Sequence, residues 1–136
     1  MLLLKLSTGG SKPAAFILGG EQGRDWMSTA IILNFISNLL ENPQDDLLKH
    51  FNFYFVPVFN PDGYEHIRNG ECYSVYLGQK CLSEEETKTL ASFLNSIAVN
   101  LLAFINLRGF ANLVTVPYAK SDLNANNKAL LTWYEA

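Results

Sequence analysis

A chain of 136 residues, 49% apolar and 17% charged, can bury a hydrophobic core without metal or disulfide staples and is too apolar for a disordered segment. Ten Lys and Arg against thirteen Asp and Glu leave a formal net charge of −3, and with no basic run neither nucleic acid nor an acidic membrane is supported as a partner. Two cysteines, Cys72 and Cys81, are too few for a disulfide framework and leave the redox compartment open.

Met1 to Leu6 is apolar but lacks the basic start and the length of a signal peptide's apolar region, and no stretch is long enough to cross a membrane as a helix. Leu2 to Leu6 reads as a short strand. Ser7 to Lys12 (STGGSK) is a turn cluster ahead of Pro13, without the Gly and Lys order of a phosphate loop. Ala14 to Leu18 reads as a second strand, stopped by Gly19 and Gly20. Arg24 to Leu40 carries Trp26, Ala30, Leu33, Ile36 and Leu40 at helical spacing, with Asn42-Pro43 as the stop and further helical turns over Asp45 to His50.

Phe53 to Phe59 is apolar on both faces, the pattern of a central strand covered by helices on both sides, although Pro57 cannot donate to a ladder. Asn60-Pro61-Asp62-Gly63 is a turn signal, and Glu65 to Lys80 reads as irregular. Ser83 to Glu86 has the form of a capping box ahead of a helix bearing Leu90, Phe93, Leu94 and Ile97. Leu101 to Leu107 reads as a strand buried on both faces, Leu113 to Tyr118 as a further strand, and Asn126 to Tyr134 as a terminal helix. Strands alternating with helices predict an α/β fold, a three-layer helix–sheet–helix with a mixed, largely parallel sheet.

Three segments then stand out. Lys12 to Ala30 (KPAAFILGGEQGRDWMSTA) gives a strand, two glycines and a Gln-x-x-Asp-Trp phrase. Val56 to Tyr64 reads VPVFNPDGY. Cys72 to Pro117 holds Cys-x-x-x-Tyr-x-Gly, then Ser83-Glu84-Glu85-Glu86-Thr87-Lys88, then the strand ending at Leu107-Arg108-Gly109-Phe110. In order and spacing these segments resemble the zinc metallocarboxypeptidases of the carboxypeptidase A/B type, which have His-x-x-Glu within the first segment, Pro-x-x-Asn-Pro-Asp-Gly-Tyr in the second and a last zinc-ligand His in the third. The likeness runs along nearly the whole chain, read as a single partial domain over residues 1–136.

The resemblance implies a family that removes C-terminal residues from peptides with zinc-bound water, the zinc held by three protein ligands. Gln22 stands at the first ligand position, where a neutral amide oxygen is a poor substitute for imidazole. Asp25 stands at the second, chemically competent but one methylene shorter than Glu. Arg108 stands at the third, a permanent cation with no lone pair to donate. Arg24 matches a family Arg that lines the substrate groove. The family's substrate-gripping Arg and Asn-Arg pair would fall where only Glu65 to Glu71 remain, so that stretch is expected to be deleted. Its general-base Glu and mobile Tyr would lie beyond Ala136. The family partner of Cys72 would sit in the deleted stretch, so free thiols are expected, and His50 and His66 read as solvated residues.

A sharper expectation is that the Arg108 guanidinium pairs with Asp25, replacing a dication by a fixed monocation; the alternative is an Arg108 pointing to solvent at a strand end. These substitutions predict no catalytic residue and no zinc cofactor in this chain, with any function exercised by binding a peptide or protein partner. The alternatives are an active zinc carboxypeptidase with a rebuilt site and a non-functional product of splicing or gene decay. Family members are often secreted; the sequence does not assign a compartment.

Overall fold

The computed structural model describes residues 1–42, 46–68 and 84–109. Four strands form one sheet: β1 (Leu4–Leu6), β2 (Ala14–Leu18), β3 (Asn52–Val56) and β4 (Leu101–Asn106), in the order β1-β3-β2-β4. β1 runs antiparallel to β3, whereas β2 is parallel to both β3 and β4. The sheet is therefore mixed and mostly parallel, as the alternation of strands and helices predicts.

Period-two alternation sends neighbouring side chains to opposite faces, and each face has its own helices. Ala15 and Ile17 of β2 and Phe53 and Phe55 of β3 meet Ile32 and Leu39 of α1 (Trp26–Glu41), with Leu48 of α2 (Leu47–His50) against the same cluster. On the other face Phe16, Leu18 and Val56 pack against Leu90, Phe93, Leu94 and Ile97 of α4 (Glu85–Ile97). All five β2 residues are buried, which explains its unbroken apolar sequence. No helix among the described residues is long and apolar enough to cross a membrane.

Several local expectations are corrected. α1 buries Ser28, Thr29, Ile32 and Leu39, with Phe35 and Ile36 beside them; Trp26, Ala30, Leu33 and Leu40 of the expected stripe are exposed. Two polar residues face inward because each has a backbone partner there: the Ser28 hydroxyl accepts from Gly20 N–H at 3.0 Å, and the Thr29 hydroxyl donates to Pro57 O at 2.9 Å. Asn60-Pro61-Asp62-Gly63 does not turn the chain back but opens α3 (Pro61–Arg68). The Asn60 side-chain oxygen accepts from Gly63 N–H at 2.9 Å, and Pro61 takes the first helical position, where a missing N–H costs nothing. The residues expected to be irregular from Glu65 are thus helical as far as Arg68.

Helix α4 is preceded by an extended Glu84 at the cap position, one residue later than the capping-box reading, and Thr87 donates to Glu84 O at 2.8 Å. Ser83, both cysteines, the deleted-stretch reading and the elements expected over Leu113 to Tyr118 and Asn126 to Tyr134 lie outside the described residues. β4 is not buried on both faces: Leu102 is 66% exposed, and Phe104 and Ile105 are 44% exposed. Its pairing with β2 slips by a residue between Ala14 and Ala15, leaving Leu102 as the extra residue of a bulge. Leu101 and the Phe104 ring, which stacks on Phe16 at 5.5 Å, consequently share the α4 face despite their odd spacing.

Candidate functional site

Parallel strands carry their sites where the strands end and the following loops open. Here β2 and β4 end side by side, with Leu107 N–H donating to Leu18 O at 2.8 Å. The chain after β3 runs beside the end of β2 as well: Gly19 N–H donates to Val56 O, while Phe59 and Asn60 N–H donate to Gly19 and Gly20 O, each at 2.9 to 3.0 Å. Such close approach requires glycine. Gly20 has φ +62°, and a Cβ there would lie 2.9 Å from Val58 Cα.

This crossing releases residues 21–25 at the carboxyl edge of the sheet and directs Asp25 to the start of α1. Asp25 occupies the cap position, yet its side chain makes no capping hydrogen bond. Ser28 instead donates to Asp25 O at 2.6 Å, and the carboxylate turns toward the end of β4. There the Arg108 Nε donates to Asp25 Oδ2 at 3.1 Å, and Gly109 N–H donates to Asp25 Oδ1 at 3.3 Å. The guanidinium's NH1 reaches a second carboxylate, Glu21 Oε2, at 2.7 Å, and the Asn106 amide donates to that same oxygen at 2.6 Å.

The Asp25 side chain is 2% exposed, against 36% for Arg108 and 37% for Glu21. The two ion pairs therefore differ in kind. A carboxylate so removed from water needs a charged partner and a second donor, and Arg108 and the Gly109 N–H supply them. The half-open Glu21 pair is screened and is worth far less by itself.

Of the four residues singled out from sequence, the structure joins Asp25 to Arg108 and leaves Gln22 with Arg24, whose Nε donates to Gln22 Oε1 at 3.1 Å on the surface. The guanidinium is turned inward to the carboxylates, not out to solvent. Glu21 and Asn106 complete the network and were not expected; the only signal for Glu21 is a carboxylate next to Gln22 in the sequence, and Asn106 carries none. His50 is an exposed residue in the last turn of α2. Among the described residues no three His, Cys, Asp or Glu side chains gather as a metal site would require.

A family model described as zinc carboxypeptidase matches residues 1–74. Carboxypeptidase O of Bos taurus is 27% identical over an aligned stretch of 171 residues, covering 93% of this chain and 46% of the relative. Carboxypeptidase B of Astacus astacus is 41% identical over 69 residues, 48% of this chain and 23% of the relative. The aligned 171 residues exceed the 136 of this chain, so carboxypeptidase O carries residues inside that stretch with no counterpart here. Among solved structures, bovine thrombin-activatable fibrinolysis inhibitor, determined with a tick carboxypeptidase inhibitor, superposes with a TM-score of 0.82 at 24% identity, over 96% of this chain and 56% of that one. Carboxypeptidase A of Helicoverpa armigera gives 0.82 at 18% identity, over 96% and 42%. The structural likeness establishes the fold, and the chain spans less than half the length of the curated relatives.

Proposed function

The chain belongs to the zinc carboxypeptidase family, and from that premise we propose that it is a family domain without peptidase activity, acting by binding a peptide or protein partner. Gln22, Asp25 and Arg108 stand at the family's zinc-ligand positions on this reading, and Arg24 lines the groove in which a partner would lie. The observation that carries it is the Arg108 guanidinium on Asp25 at 3.1 Å. The residues present do not fit a zinc ion: the one anionic donor of the three is engaged by a fixed cation, the amide of Gln22 is weakly basic, and Arg108 offers no lone pair. A dication at Asp25 would lie beside a guanidinium charge that cannot be titrated away.

The experiment is a zinc titration of the purified chain by calorimetry, with the metal content of the isolated protein as a check and hydrolysis of C-terminal residues from blocked peptides as a second readout. The expected result is no zinc binding at about micromolar affinity or tighter and no release of amino acid. One zinc per chain together with hydrolysis would establish instead a working peptidase with a rebuilt ligand set. A peptide that binds without being cleaved, and binds more weakly to Arg24→Ala, would place the partner in the groove.

A further inference from the structure

We propose that Glu21, Asp25, Asn106, Arg108 and Gly109 form an ionic latch that holds β4 on the sheet, with the Arg108 guanidinium as the resident cation between two carboxylates. The donors all come from the end of β4: the Asn106 amide, the Arg108 Nε and NH1, and the Gly109 N–H. The acceptors, Glu21 and Asp25, both lie on the segment that leaves β2 and enters α1. Every bond of the network thus crosses one seam, and none of them ties β4 to itself.

Besides this network the seam is held by the β2–β4 ladder, by Leu107 N–H on Leu18 O at 2.8 Å and by Phe104 stacked on Phe16. β4 is an edge strand among the described residues, joined to β2 by a ladder interrupted by a bulge, and much of its apolar surface is open at Leu102, Phe104 and Ile105. Burial secures β4 less than β2 and β3, whose residues are nearly all buried, so the polar network carries a larger share of the attachment at its carboxyl end. Asp25 makes the latch cooperative. Its carboxylate is buried, so it is either paired or must be rehydrated, and water reaches it only if the end of β4 lifts from the start of α1. Opening of the ion pair and detachment of the strand end become one event, a local unfolding distinct from global unfolding.

This inference rests on the geometry of the seam and holds whether or not the chain binds a partner. The test is amide hydrogen exchange by NMR on the full chain in the presence of a chelator, for the wild type, Asp25→Asn, Arg108→Met and the double variant. In Arg108→Met the Leu107 and Gly109 amides are expected to lose protection by at least about tenfold, with the β2–β3 ladder changing less. In the double variant part of that protection returns, because no buried charge is left unpaired. Asp25→Asn leaves no buried charge and is the safeguard should Arg108→Met fail to fold; it too must loosen Leu107 and Gly109. Unchanged protection at those two amides in Asp25→Asn, or a loss spread evenly over the sheet, overturns the latch. Because a chelator is present throughout, zinc binding by the wild type would overturn the functional reading and leave this result standing.

Discussion

Gln22 and Arg108 are the residues on which the functional reading turns, and neither offers the imidazole nitrogen that zinc favours. If they stand at ligand positions, restoring imidazole at both should restore a metal site around Asp25. The Gln22→His/Arg108→His variant is expected to bind zinc where the wild type does not, with an affinity that weakens as pH drops below about 6.5, since only neutral imidazole is a ligand. Calorimetry at two pH values reads this directly. Failure of the folded double variant to take up zinc would mean that these positions never converged on one ion. A second residue-scale expectation concerns Gly20, whose φ of +62° and 2.9 Å approach to Val58 Cα leave no room for a methyl group. Gly20→Ala should lose about 2 kcal/mol or more in urea unfolding, from strain and displaced backbone together. Gly10→Ala, also at positive φ but with nothing nearer than Lys12 Cε at 4.0 Å, should lose about 1 kcal/mol.

At the scale of the element, α3 shows how a turn signal and a helix start share one vocabulary. Asn60 caps Gly63 N–H and Pro61 sits at the first helical position, so Asn60→Ala should cost about 1 kcal/mol and Asn60→Asp much less, measured by thermal or urea unfolding. The same residues before an apolar run of opposite periodicity would have closed a hairpin, which is why the sequence alone reads either way. β2 was legible because burial on both faces leaves a continuous apolar run; β3 was legible in part, since it ends at Val56, short of the expected Phe59, where Pro57 has no N–H for the ladder. β4 has the same composition but only one sheet neighbour among the described residues, and composition does not distinguish a central strand from an edge. The bulge at Ala14/Ala15 was invisible for a related reason, since alternation assumes an unbroken register. Of the candidate site, the Asp25–Arg108 pair was legible through the family pattern. Glu21 and Asn106 were not, because their pairing is set by the alignment of two strand ends far apart in the chain, the bonds spanning 85 and 87 residues.

The whole molecule has to reconcile a well-filled core with a large apolar surface. α1 carries apolar residues on its outer as well as its inner side: Ile32 and Leu39 are buried, while Met27, Leu33 and Leu40 are 65%, 51% and 61% exposed. A helix of this kind can be read with either stripe inward, and Leu33 and Leu40 fit the helical period as well as Ile32 and Leu39 do. The choice is made by the polar pair Ser28 and Thr29, whose hydroxyls bond Gly20 N–H and Pro57 O and so fix the rotation of the helix about its axis. The two stripes should then differ sharply when substituted. Leu39→Ala removes a buried side chain and should cost about 2–5 kcal/mol. Leu33→Glu with Leu40→Lys should change stability by no more than about 0.5 kcal/mol per site while raising solubility and lowering binding of a hydrophobic dye, because it breaks an exposed apolar patch. Urea unfolding of both variants, with sedimentation across a concentration series, decides the matter. A large loss of stability in the charged variant would mean that the outer stripe of α1 is interior in the folded chain.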